Sequence, residues 1–276
     1  MKNFKIVTIF ILAGFLCSCQ KDPLKENIDS ENQKLNKLQL EKLTELGVSN
    51  TETSIQTLTN LDGSTTDYVL NNTDLAIPLQ DLMNMEGLGD AENGMKQYRT
   101  NNLISRRNRT IDVLGYTGGA NALDGTARQA LQRAVNNYNR LNSTLNLRLS
   151  FGTNYPAADL VVYVQNNLGA GGLAGFPAGG RPYKWARIGP YVSSRGYNYA
   201  THVITHEIGH CIGLRHTDWF RRYCDGGNEG TGYDGAIHIP GTPRGIDISS
   251  TMMSCPTGYE DGNFNTNDKR AIEYIY

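Results

Sequence analysis

The sequence predicts an α/β (α+β) fold, with a mixed twisted sheet carrying helices, built from residues 96–276. Three observations carry this expectation. Residues 110–188 contain four strand-like runs, a helix-periodic stretch interrupts them, and a second helix starts near Asn198. Such alternation buries apolar faces in layers of sheet and helix rather than in a bundle.

Thr110–Tyr116 alternates apolar and polar residues, as a half-buried strand does. Asp124 is placed to cap a helix running to about Leu141, whose apolar residues Ala127, Ala130, Leu131, Ala134, Val135 and Tyr138 recur at three and four. Leu145–Leu149 alternates again. Asp159–Gln165 is continuously apolar at its centre and predicts a strand buried on both faces. A Gly-rich loop covers 169–180, and Lys184–Ile188 alternates in a way that suits an edge strand.

The N-terminus reads differently. Lys2 and Lys5 precede an apolar run, Ile6–Leu16, of signal-peptide length. A membrane-spanning helix needs about 20 apolar residues, so the run is too short to be one. It ends in Leu16-Cys17-Ser18-Cys19, which resembles a bacterial lipobox. That resemblance makes residues 1–18 a signal peptide and Cys19 the lipidated N-terminus. Gln20, rather than an aspartate, then implies the outer membrane or cell surface, with the periplasmic face also open. Residues 19–95 read as a lipid-anchored tether and either a pro-segment or a spacer. Within them, 31–47 suits a short amphipathic helix ending at Gly47, and Thr66–Leu70 a strand after the Asp62-Gly63 turn.

A length of 276 residues allows one large domain, or one domain plus a smaller region. The net charge of -1 gives no electrostatic case for nucleic acid, and none is expected as a partner. Five cysteines are present. Cys17 leaves with the signal and Cys19 carries lipid, so Cys211, Cys224 and Cys255 remain for an oxidising compartment.

The richest stretch is His206-Glu207-Ile208-Gly209-His210-Cys211-Ile212-Gly213-Leu214-Arg215-His216-Thr217-Asp218. Histidines four apart on a helix face one way and reach one ion. Catalytic zinc takes three protein ligands and keeps one position for water. His216 supplies the third if the helix stops, and Gly213 can stop it by adopting positive φ. Glu207 is then poised beside a metal-bound water. Asp218 is a candidate to orient a ligand, because ligating histidines donate their second N–H to an acceptor. His202, one turn before His206, and His238 are weaker candidates for a ligand and a substrate contact.

The pattern His-Glu-x-x-His-x-x-Gly-x-x-His resembles the metzincin zinc peptidases. Ser250-Thr251-Met252 resembles their methionine turn, with Met253 the alternative register. The literal His206–His210 string, Leu214–Trp219, Ile239–Pro243 and Asp247–Cys255 are similar to the dual-action HEIGH metallopeptidases. The resemblance covers roughly 96–276. It implies an active-site helix, a small irregular C-terminal subdomain with a Met-turn, and a last helix near Thr266–Tyr274. It also implies a zinc endopeptidase acting on peptide or protein substrates in a cleft beside the edge strand. Some metzincins place a tyrosine two residues after the methionine. Ser254 stands there instead, leaving Tyr233 and Tyr259 as substitutes. No cysteine lies between Cys19 and Cys211, which excludes a cysteine block of the zinc, while Asp62, Asp67 and Asp74 stay open as acidic alternatives. Cys211 is expected in the core, which pairs Cys224 with Cys255 across the zinc-site segments. A monomer is expected. Two other readings stay open: an adhesion lipoprotein with a vestigial zinc site, and a narrow self- or partner-processing protease, with Arg106, Arg107 and Arg109 as either a cut site or a solvated basic turn.

Overall fold

A computed structural model describes residues 34–45, 53–71, 76–83, 97–227, 229, 236–242 and 245–276. The signal-peptide run, Cys17, Cys19, Gly47, Asp74 and Tyr233 lie outside the described residues. The described residues all belong to the contact unit Asn32–Tyr276. Among them, no helix is long and apolar enough to cross a membrane.

The first elements are helix α1 (Lys37–Glu45), strands β1 (Thr53–Thr59), β2 (Thr65–Asn71) and β3 (Ala76–Pro78), and the short helix α2 (Leu79–Leu82). The three strands form an antiparallel meander in the order β1-β2-β3. Asp62 and Gly63, at φ 78°, turn β1 into β2. Then come β4 (Tyr98–Arg99), β5 (Thr110–Tyr116), helix α3 (Gly125–Asn139), β6 (Asn146–Gly152), β7 (Leu160–Val164), β8 (Gly172–Leu173) and β9 (Trp185–Ile188). Helix α4 (Tyr197–Cys211), β10 (Leu214–Arg215), β11 (Ile237–His238) and helix α5 (Thr266–Ile275) complete the chain.

The main sheet has the order β6-β5-β7-β9-β8. Its first four strands run parallel and β8 runs antiparallel to β9, so the sheet is mixed. Helix α3 starts where expected, with the Asp124 carboxylate accepting from Ala127 N at 2.8 Å. Its small face, Ala127, Ala130 and Ala134, lets α4 approach closely within the main core.

Strand β7 is buried on both faces, as its apolar run requires. Leu160 and Val162 join the helix-side core, while Val161 and Tyr163 join Leu114 and Trp185 on the opposite face. The N-terminal meander covers that opposite face. Leu61 packs beside Val161 and Trp185, and Leu58, Tyr68 and Ala76 pack on Leu173.

Lys184–Ile188 is not the edge strand. Its core, β9, lies between β7 and β8, with all four residues buried. The edge is β8, inside the Gly-rich loop. Alternation misled because Arg187 looks like a solvent-facing residue. It is instead fully buried, its guanidinium donating to Tyr163 Oη (2.8 Å), Asn60 Oδ1 (2.8 Å) and Tyr68 Oη (3.2 Å). In the basic cluster, Arg106 and Arg107 are exposed, whereas Arg109 donates to the main-chain oxygen of Tyr276 at 3.0 Å and lies over its ring.

Candidate metal centre and cleft

Helix α4 carries His206 and His210 one turn apart on a helix whose other face, Ile204, Ile208 and Ile212, is fully buried in the core. The helix ends at Gly213, at φ 105°. A Cβ there would lie 3.0–3.1 Å from Leu103, Asn102 O and Thr100 Oγ1, so glycine answers both the backbone and the crowding. Beyond it, Leu214 and Arg215 pair with Arg99 and Tyr98 of β4, and Thr100 N donates to Gly213 O at 2.8 Å. This pairing delivers His216 back to the helix.

The three histidines are buried and meet at their Nε2 atoms, which lie 2.9, 3.1 and 3.1 Å apart. Each Nδ1 faces an oxygen: Thr251 O at 2.7 Å for His206, Leu214 O at 2.9 Å for His210, and Glu229 Oε1 at 2.7 Å for His216. Oxygens that accept fix the proton on Nδ1 and leave a lone pair on each Nε2. Three converging lone pairs repel unless a cation lies among them. Zn–N bonds of about 2.0–2.1 Å place tetrahedral nitrogens roughly 3.3 Å apart, close to the observed spacing. An all-imidazole set with room for a further ligand suits zinc. These residues are also the one group of three metal-ligating side chains among the described residues.

Asp218 does not orient a ligand. Its carboxylate accepts from Ser254 N (3.0 Å), Ser254 Oγ (2.7 Å) and Tyr223 N (2.8 Å), tying the segment after His216 to the segment after Met253. The acceptor on His216 is Glu229, buried at 3% exposure, with Arg215 at 3.7 Å from its other oxygen. Nothing in the sequence singles out Glu229, which stands in a glycine-rich loop 13 residues past the ligand. The other two acceptors are main-chain carbonyls and carry no side-chain signal.

Met252 is fully buried beneath α4. A Cβ on Gly209 would lie 2.5 Å from its sulfur, so Gly209 makes room for it. Thr217 N donates to Met252 O at 2.8 Å, while Met253 takes a contact from Thr217 Oγ1 and faces the cleft. The turn is held from α5: buried Asp268 accepts from Ser250 Oγ (2.5 Å), Thr251 N (3.0 Å) and Gln97 Nε2 (2.8 Å). Burial raises the Asp268 carboxyl above its usual range against these bonds. Cys224 and Cys255 are joined by a disulfide, and Cys211 is free and buried, its thiol pushed well up by burial and by Glu207.

Glu207 is 1% exposed and faces Gly172 of β8. A Cβ on Gly172 would meet its carboxylate at 2.2 Å, so this glycine makes the space Glu207 occupies. Together with His206 they line a half-open cavity of about 90 Å³, along with Tyr199, Val203 and Pro256. His202 also lines it but stands outside the triad, its ring 6.2 Å from that of His206. Burial, and then the neighbouring His206, lowers its pKa to about 4. Tyr259 is 56% exposed and does not line this cavity. His238 lies on β11 against Thr242 and the Tyr98 ring.

A three-histidine centre with a carboxylate beside it, set at the open edge of a mixed sheet, defines a zinc hydrolase. The chain belongs to the dual-action HEIGH metallopeptidase family, whose model matches residues 69–276. It is thus a zinc metallopeptidase. No curated protein sequence matches the chain. Among solved structures it is similar to myroilysin, at 13% identity and a TM-score of 0.40 over 61% of this chain and 80% of that one. It is likewise similar to high choriolytic enzyme 1, a hatching-enzyme zinc protease of the medaka fish Oryzias latipes, at 15% identity and a TM-score of 0.36 over 61% and 90%.

Proposed function

We propose that the chain is an exported, lipid-anchored zinc endopeptidase in which His206, His210 and His216 hold the metal and Glu207 is the general base. The observation that carries this is the convergence of three Nε2 atoms beside a buried carboxylate at the open edge of β8. Zinc, when bound, supplies Lewis acidity that polarises the scissile carbonyl and lowers the pKa of water towards about 7.

The chain's own residues do the rest. Glu207 takes a proton from the attacking water and returns it to the leaving amine. Thr251 O, Leu214 O and Glu229 hold the three imidazoles in the tautomer that presents Nε2. Met252 serves as the Met-turn residue, a packed floor under the ligands. The 90 Å³ cavity receives one substrate side chain next to the cut bond. An open strand edge accepts extended chain by main-chain pairing, which favours cleavage within a peptide.

Glu207→Gln tests the assignment. Zinc stoichiometry should stay at one per chain while kcat/KM on a peptide library falls by roughly three orders of magnitude or more; undiminished hydrolysis sinks it. Anchoring rests on Leu16–Cys19. Cys19→Ala should move the protein from the membrane fraction to the soluble fraction and abolish labelling by a fatty-acid analogue.

A further inference from the structure

The meander β1–β3 does more than cover the sheet. Gly189 N donates to Gly171 O, and Leu173 is registered with Arg187, so the backbones of residues 171 and 173 point at β9. Alternation along a strand then turns the main-chain groups of Gly172 and Ala174 to the opposite, free edge. Gly172 lies against Glu207. Ala174 does not remain free: Ala76 N, at the start of β3, donates to Ala174 O at 2.9 Å. The segment making this bond is held firmly. Asn60 and Tyr68 accept from the buried Arg187 guanidinium, Tyr68 Oη and Tyr183 Oη meet at 3.2 Å, and Leu58, Tyr68 and Ala76 bury Leu173.

We propose that the N-terminal meander is a permanent wall of the substrate cleft that caps the free edge of β8 at Ala174 and so limits how far an extended substrate pairs with that strand. The proposal rests on the zinc-peptidase reading above. A peptide lying along β8 uses the main-chain groups of Gly172, beside the base, and meets the cap one step of the pleat further on. On that side of the cut bond, recognition reaches about two residues. The same contacts argue that residues 53–83 stay with the active enzyme, because their departure would strip Leu173, Val161, Tyr163 and Trp185 of cover.

Two measurements on the zinc-loaded full chain test this. Fluorogenic peptides lengthened stepwise on each side of the cleaved bond should show kcat/KM levelling off after about two residues on one side. In Ala76→Pro, which removes the N–H donor, the ratio of long-peptide to short-peptide kcat/KM should rise several-fold. Amide exchange, which needs no catalysis, should find Ala76 protected as strongly as the β8–β9 pairing. Fast exchange at Ala76, a kcat/KM that keeps rising on both sides, or activity only in molecules that have lost residues 53–83 would each overturn the cap. Failure to cut any peptide while Ala76 stays protected would overturn the peptidase reading and leave the cap standing.

Discussion

At the scale of single residues, the placing of His216, the third proposed ligand, depends on two neighbours that do different work. Gly213 turns the chain at φ 105°, and Glu229 holds the ring of His216 at 2.7 Å. Replacing Gly213 by Ala combines a positive-φ penalty with contacts of 3.0–3.1 Å. A loss of about 1–3 kcal/mol is expected, read from chemical denaturation. Glu229→Gln keeps an acceptor oxygen but removes the charge, whereas Glu229→Ala removes both. Zinc affinity in the Ala variant should fall roughly 10–100-fold, measured by competition with a chromophoric chelator, with a smaller loss in the Gln variant. Equal affinities in wild type and both variants would contradict the role given to this carboxylate.

At the scale of elements, the site is a junction of α4, the β4–β10 pairing, the Met252 turn and α5. Met252 fills the space under Gly209, so Met252→Ala opens a cavity in a buried site. The cost should be about 2–5 kcal/mol by denaturation, with zinc still bound. The Cys224–Cys255 disulfide closes 31 residues of chain across the same junction. Converting both cysteines to Ser should lower stability by about 2–4 kcal/mol. Mass spectrometry after alkylation without reductant should find Cys211 as the free thiol of this region. Asp218 belongs to this scale as well, since it staples Ser254 to the chain beyond His216 rather than serving the metal.

At the scale of the molecule, zinc is expected to favour the folded chain, because the three histidines converge only when α4 forms and the β4–β10 pairing returns His216 to it. Binding of that kind stabilises by RT ln(1 + [Zn]/Kd), or about 4 kcal/mol at a thousandfold excess over Kd. Chelation with excess EDTA should therefore lower Tm by several degrees, and added zinc should restore it. The three layers—helices, main sheet and N-terminal meander—should unfold together. A separate early transition assigned to residues 53–83 would show that the meander is only loosely attached.

The sequence by itself determined which three histidines converge, the carboxylate next to them, the helix that carries two of the histidines and that carboxylate, and the glycine that ends it. Those features are local: spacing of four on a helix and a residue free to take positive φ are legible without neighbours. Strand β7 was legible for the same reason, since an apolar run declares burial on both faces. What tertiary structure alone decided is which partners complete these pieces. Strand β8 hides in a glycine-rich loop because two residues carry no periodicity. Arg187 reads as solvent-facing because its buried acceptors, Asn60 and Tyr68, arrive from more than a hundred residues away. Glu229 and the Thr251 carbonyl were invisible because they become partners of His216 and His206 only when the chain folds back to place them, whereas Leu214 O reaches His210 from four residues on. Long-range contacts leave no local pattern, and in this protein they set the orientation of His206 and His216 and the shape of the cleft.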